Sequence, residues 1–503
     1  MKVRQEKVRQ EKFGQGFKLS MMSSGLNLKV AVYGLITACL MLPLGVYASD
    51  PAVIPDEIRQ MMKRHKVPLS GVSIFVQEAG SENTILRVAA TKARNPASTI
   101  KLLTTWAALE ELGPAWTWST EAYLNGSVTD GTLKGDLILK GYGDPYFITE
   151  RMWGFQRQLR NRGIQNIEGN LGIDNSYFSL EPGDTSEFDG EGLRAYNVPP
   201  DAMLVNFQAI HMIFKPDFVN NNVRLLADPM PANLQIENRL KLVKGFCGGY
   251  QNGISVSAKK DRVRDHLVIS GKFGRGCDEY VMSRSALTAQ TYAYGVFRSL
   301  WEEAGGSLSG ELQNIKVPAD AEPFYSAESP PLSDVITYIN KFSNNVMARQ
   351  LFLTLGAEID SVPGTLQKSR EVVRLLLKRR GLEFNELILD NGAGLSRKTR
   401  ISSVNLGAVL QQAEASPWSA EFVSSMSLPG LDGTLRKRFT HEAATGRMHL
   451  KTGRLSNVYA TAGFVHADSG REYVVVILQN YKGADDGPGE EVQAALLRWV
   501  YQQ

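Results

Sequence analysis

Apolar residues along the chain fall into stretches of different period. Gly71–Gln77 (GVSIFVQ) and Leu86–Ala90 read as the strands of a hairpin around the polar turn Gly80-Ser81-Glu82-Asn83. From Ser98 to Leu112 the pattern is helical, with Ile100, Leu103, Trp106, Ala107 and Leu109 near helical spacing and a stop at Gly113-Pro114. Between Thr120 and Tyr280 short β-like runs alternate with turns: TLKGDLILKGYGDPYF, IEGNLGIDNSYF, GISVSAKK and DHLVISGKF. They predict a large, mostly β insert of one or two lobes. Helical texture returns in Thr288–Ala304, Ser333–Leu355 and Lys368–Arg380. The last segment predicts three strands, MHLKTG, VYATAGFVHA and REYVVVILQNY, then an amphipathic helix over Glu490–Tyr501. Helices before a terminal antiparallel sheet make the class α+β, a sandwich interrupted by an insert. The expected partition is 1–48 as N-terminal extension and leader, 49–121 and 286–503 as the two parts of the sandwich, and 122–285 as the insert.

Composition refines this picture in three places. A chain of 503 residues exceeds one compact core, in keeping with an interrupted domain. The 56 basic and 52 acidic residues leave a formal charge of +4, with no basic face or nucleic-acid motif, so nucleic acid is not an expected partner. The run VAVYGLITACLMLPL (30–44), preceded by Lys29 and followed by Val46-Tyr47-Ala48, has the parts of a secretory signal cleaved after Ala48. It is short for a membrane span and broken by Pro43, so at most peripheral membrane association is expected, an uncleaved anchor being the alternative. Ile36-Thr37-Ala38-Cys39 is similar to a lipobox, but the apolar stretch continues past Cys39. KVRQE occurs twice (2–6 and 7–11) ahead of Met21 and Met22, where a start would give a leader of normal length. Cleavage leaves Cys247 and Cys277, both beside Gly-rich turns. In an oxidising compartment they are expected to pair, two buried thiols being the alternative. Six histidines without an HExxH pair, and no Cys/His metal spacing, give no reason to expect a metal or cofactor.

Three short strings carry chemistry. Ser98-Thr99-Ile100-Lys101 opens a helix, and the i, i+3 spacing puts alcohol and amine on one face, beside free N–H groups and a positive dipole end. Such an amine acts as a base once burial and neighbouring cations lower its pKa. Ser343-Asn344-Asn345 falls within the helical stretch 333–355. Lys451-Thr452-Gly453 falls on a strand whose glycine is expected to let a substrate backbone pass close by. Each string is common: Ser257-Ala258-Lys259-Lys260 repeats the first, and Ser81-Glu82-Asn83 and Ser403-Val404-Asn405 repeat the second. Order and context single out the three, since no helix follows Ser257. Gly141-Tyr142-Gly143-Asp144-Pro145 reads as a turn without the strand-to-helix context of a phosphate loop, and His449 as a packing or solvated residue.

This grouping is the one used by β-lactamases and penicillin-binding proteins. Across residues 50–503, the segments NPASTIKLLTTWAALEELG, LKGYGDPYF, YNVPPDAMLVNF, INKFSNNVMARQLF, NGAGLSRKTRIS and LPGLDGTL resemble the low-molecular-mass class C penicillin-binding proteins, the D-alanyl-D-alanine carboxypeptidase/endopeptidase family. The resemblance implies a β-lactamase/transpeptidase-like α/β sandwich. The gap from Ser98 to Ser343 (343 − 98 = 245 residues) houses the insert, where a minimal β-lactamase has a much shorter one. It also implies hydrolysis of D-Ala-D-Ala termini, of D-Ala–diamino acid cross-links, or both, through a Ser98 acyl-enzyme. Lys101 would be the base, Ser343 the relay to the leaving amine and Asn345 the holder of the substrate amide. Lys451 would add positive potential and Thr452 would bind the terminal carboxylate. The N–H groups of Ser98 and of Arg454, the residue after Gly453, would form the oxyanion hole. Arg454 replaces the small residue often found there, and Asp390-Asn391-Gly392-Ala393-Gly394 departs from the commoner Asp-Gly-Ser-Gly and is expected only to shape a turn. The implied partners are peptidoglycan stem peptides in the periplasm and β-lactams as covalent inhibitors. A β-lactamase, or a sensor that acylates without turnover, are the alternatives.

Overall fold

Strand alternation divides the side chains of one antiparallel sheet between two hydrophobic cores. The computed structural model describes residues 54–181, 183–247, 253–259 and 264–503; the expected leader and cleavage site lie outside them. The sheet runs in the order Met448–Leu455, Val458–His466, Glu472–Asn480, Val72–Glu78, Thr84–Val88, so the first strands of the chain pair with the last. Phe75, Ala460, Phe464, Val474, Val476 and Leu478 face a core shared with the Lys101–Leu112, Leu332–Lys341, Asn345–Leu355, Leu366–Arg379 and Ser403–Glu414 helices. Ile74, Val76, Leu450, Val475 and Ile477 face the other, covered by the Asp56–Arg64 and Pro488–Tyr501 helices. Cover on both faces explains why the C-terminal strands are almost wholly apolar. Each fully buried Val, Leu or Ile contributes about 1.5–3 kcal/mol, so this sheet is a rigid base for the edge strand that carries Lys451.

The insert has its own core. Ser119–Thr129 and Thr132–Gly141 form an antiparallel hairpin; Asn166–Ile167 and Leu171–Asp174 lie parallel to the second strand, with Ser307–Leu308 and Leu312–Asn314 outside them. The Thr149–Asn161 and Ala289–Glu303 helices cover this sheet through Met152, Phe155, Leu159, Tyr292, Phe297 and Trp301. Farther out are two three-stranded sheets, one of Tyr280–Arg284, Ile210–Asp217 and Asn222–Asp228, the other of Ile254–Lys259, Asp265–Gly276 and Leu234–Phe246. Cys247 and Cys277 are bonded at the end of the second, with Cα atoms 4.4 Å apart.

The mostly β insert also contains a helix that the sequence reading did not pick out: Thr149–Asn161, whose buried Met152, Phe155, Gln156 and Leu159 follow i, i+3, i+4, i+7. Gly141–Pro145 therefore does stand between a strand and a helix, although the Gly143 N–H donates to the chain's own Ala202 carbonyl at 2.8 Å. Past the expected bound at 285, the Ala289–Glu303 helix packs into the insert's core and Tyr325–Glu328 pairs with Ser119–Ala122, and on that ground we propose Glu328 as the insert's end. Among the described residues, no helix is long and apolar enough to cross a membrane.

Candidate active site

The Ser98–Lys101 string begins in a 3-10 turn, Ala97–Ile100, that leads into the Lys101–Leu112 helix. Ala97 has a left-handed φ of 46°, and its N–H donates to Asn95 Oδ1 at 2.8 Å. Asn95 is itself fixed: its N–H donates to Asn480 Oδ1 (2.7 Å) and its Nδ2 to the Ser396 carbonyl (2.8 Å). Two glycines close on this turn. A Cβ on Gly453 would lie 2.8 Å from Pro96 O and 2.9 Å from Ser98 N; one on Gly394 would lie 2.0 Å from Ala97 O. The space a Cβ would take at Gly453 is thus filled by the Pro96–Ser98 backbone.

The helix expected over 333–355 is two helices, Leu332–Lys341 and Asn345–Leu355, with Phe342–Asn344 between them. Ser343 is left-handed at φ 60°, and the Asn344 side chain caps the second helix by accepting from the N–H groups of Val346 (3.0 Å) and Met347 (3.1 Å). Ser and Asn compete with helical hydrogen bonds in this way, which is why the apolar periodicity did not reveal the break. The break aims Ser343 at Lys451, while Asn345, the first helical residue, faces Lys101.

Both amines are buried. Lys101 Nζ lies 3.0 Å from Ser98 Oγ, 2.6 Å from Asn345 Oδ1 and 2.5 Å from the Ala393 carbonyl. Burial first, then the positive charges of Lys451 and Arg349, hold its pKa well below the usual amine range. Lys451 Nζ donates to Ser343 Oγ and to the Thr452 carbonyl, each at 2.8 Å, and burial brings its pKa down to about 7. The Thr452 hydroxyl meets that of Thr434 at 2.9 Å. The backbone of Leu450 is bonded to Ser427, off the open edge of the sheet, so two-residue alternation turns the N–H groups of Thr452 and Arg454 to the same side. The Arg454 guanidinium donates instead to the Asp485 carbonyl at 2.6 Å, leaving its backbone N–H as the part that faces the nucleophile turn.

A cleft of about 690 Å³ is lined by Ser98, Ser343, Asn345, Thr452 and Arg454, with Lys101, Lys451 and Gly453 behind its wall. The insert adds Phe188, Asp189 and Tyr196 to the lining, Phe188 packing beside Ala97 and Leu455; sequence reasoning missed them because they lie in an irregular polar segment with no periodic signal. The Ala393 carbonyl was missed too; the paired glycines of Asn391-Gly392-Ala393-Gly394 were the only trace of it. Ser257 lies exposed on the Ile254–Lys259 strand, Cys277 is buried beside Cys247 just past the ends of two neighbouring strands, and His449 packs edge-on against His466. Among the described residues no group of His, Cys, Asp or Glu is arranged to hold a metal.

A D-alanyl-D-alanine carboxypeptidase DacB of Haemophilus influenzae is 22% identical over 405 residues, 80% of this chain and 84% of that one. The D-alanyl-D-alanine carboxypeptidase of Actinomadura sp. strain R39 is 26% identical over 405 residues, 77% and 74% of the two chains. The crystal structure of penicillin-binding protein 4 (dacB) from Haemophilus influenzae superposes with a TM-score of 0.74 at 21% identity, covering 89% of this chain and 99% of that one, so the fold is shared. The profile of the D-Ala-D-Ala carboxypeptidase 3 (S13) family matches residues 56–503, and the chain belongs to that family.

Proposed function

We propose that Ser98 carries the serine DD-peptidase activity of this chain, cutting D-Ala-D-Ala termini, D-Ala–diamino acid cross-links, or both, in peptidoglycan stem peptides of the periplasm. The observation that supports it most is a fully buried amine, Lys101, within 3.0 Å of the Ser98 hydroxyl. Neutral Lys101 takes the Ser98 proton as Oγ attacks the carbonyl carbon between the two D-alanines. The developing oxyanion lies against the N–H groups of Ser98 and Arg454. Ser343, with Lys451 behind it, returns a proton to the departing amine, and the C–N bond breaks to leave an acyl ester on Ser98. Asn345 orients the substrate amide, and Thr452 with Thr434 receives the terminal carboxylate in the field of Lys451. Water then hydrolyses the ester. A β-lactam acylates the same oxygen, but its opened ring stays attached and blocks the cleft.

The pH dependence follows in sign. Acylation grows as pH rises through the depressed pKa of Lys101, because only the free amine is a base. Carboxylate binding weakens as pH rises through about 7, where Lys451 loses its charge. Fluorescent penicillin with intact-mass detection tests the assignment: one adduct on the wild type and none on Ser98→Ala are expected. An adduct that survives the substitution overturns it. Fast turnover of a chromogenic cephalosporin would favour the β-lactamase reading instead.

A further inference from the structure

The insert is held to the catalytic helix by two adjacent side chains. Arg349, one turn beyond Asn345 on the Asn345–Leu355 helix, donates from Nη1 to the carbonyls of Val198 (2.9 Å) and Asn197 (3.4 Å). Gln350 accepts from the Asp201 N–H at 3.0 Å and donates to the Asp201 carbonyl at 2.8 Å, and Val198 packs on Val346 of the same helix. The clasped segment supports the insert's part of the cleft lining. Asn197 Nδ2 donates to Asp189 Oδ1 at 2.8 Å, and the Tyr196 hydroxyl donates to Asp189 Oδ2 at 2.7 Å.

Arg349 makes no ion pair among the described residues. The Asp390 carboxylate nearby is engaged by Arg370, 3.2 Å away. Burial lowers the guanidinium pKa only to about 10, so it stays cationic at working pH. Around Lys101, the Ser98 turn contributes a hydroxyl, the Asn345–Leu355 helix contributes Asn345 and Arg349, and the Met448–Leu455 strand contributes Lys451. The Asp390–Gly394 turn contributes the Ala393 carbonyl, with Asp390 behind it. We propose that Arg349 is a positioning residue of the catalytic centre, clasping the Asp189-bearing wall to the Asn345 helix and placing a fixed positive charge behind Lys101. This rests on the Ser98/Lys101 assignment above.

Arg349→Gln and the apolar-stemmed Arg349→Met remove the charge, and Arg349→Lys keeps it with fewer donors. Acylation by fluorescent penicillin is followed against pH, and KM and kcat are measured on a D-Ala-D-Ala peptide. In either neutral variant the acidic limb of the acylation profile should move up by about one pH unit, and KM should rise about tenfold. Arg349→Lys should restore the limb and leave KM raised. A limb unmoved in a neutral variant that still melts cooperatively overturns the proposal. So does an equal shift in Arg349→Lys, which would mark a packing effect. An error in the underlying assignment shows itself separately, as a penicillin adduct on Ser98→Ala.

Discussion

At Gly453 the edge strand and the nucleophile turn share a space with no room for a Cβ. A methyl group there would press on Pro96 O, Ser98 N and the Ala97 Cβ, none of which is the free end of a side chain. Gly453→Ala should therefore cost about 1–3 kcal/mol of stability. It should slow penicillin acylation about 100-fold, since a small displacement of the nucleophile is costly. Thermal melting and acylation rates measured together check both, and normal acylation would show that the turn can yield. A glycine in a strand announces that something comes close, and the KTG string announces which residue. What comes close was not legible, because a ligand and the chain's own backbone need the same gap. The Ala393 carbonyl on Lys101 is a similar case: no side-chain pattern encodes the direction of a backbone oxygen.

The elements were legible where one apolar face continues and obscured where it continues across a break. Val335, Ile336, Ile339, Met347 and Leu351 all enter the same core, so their spacing reads as one helix although two are present. The separation lies in the capping chemistry of Asn344, which apolar periodicity ignores. Asn344→Ala should cost about 1 kcal/mol as the first turn of the Asn345–Leu355 helix loses its cap. Acylation should slow by more than the stability loss suggests, because the positions of Ser343 and Asn345 depend on that turn. Asn344→Asp, which keeps a capping oxygen, should recover most of both in melting and penicillin-labelling assays. The Thr149–Asn161 helix went unread for another reason: its four buried positions sit in a charged surface helix between β-like runs.

Over the whole molecule, the motif order and the β texture of the middle third were enough to foresee a sandwich with an insert. The wall that the insert lends to the cleft was not foreseeable, since Phe188, Asp189 and Tyr196 arrive there through tertiary packing alone. The outer lobe carries the disulfide, which closes a loop with a sequence separation of 30 residues. Its removal by Cys247→Ser with Cys277→Ser should lower stability by about 3–4 kcal/mol if chain entropy dominates. Limited proteolysis should then cut first in the outer lobe, while fluorescent penicillin labels Ser98 as before. Loss of labelling would instead mean that the lobe and the cleft unfold together.

The chain leaves the sandwich and returns to it at one place. Ser119 pairs with Glu328, the Ser329 N–H donates to the Trp118 carbonyl at 2.8 Å, and the Trp118 N–H donates to Ser329 Oγ at 3.0 Å. Once this ribbon closes, the path from Ser98 to Ser343 runs through 20 residues on one side (118 − 98) and 14 on the other (343 − 329), not through 245. Bringing two points together costs entropy with the logarithm of the intervening chain, so the shortcut saves about 2 kcal/mol when the catalytic groups meet. An insert that closes before the sandwich would thus make distant parts of the sequence near neighbours ahead of the meeting of Ser98 and Ser343.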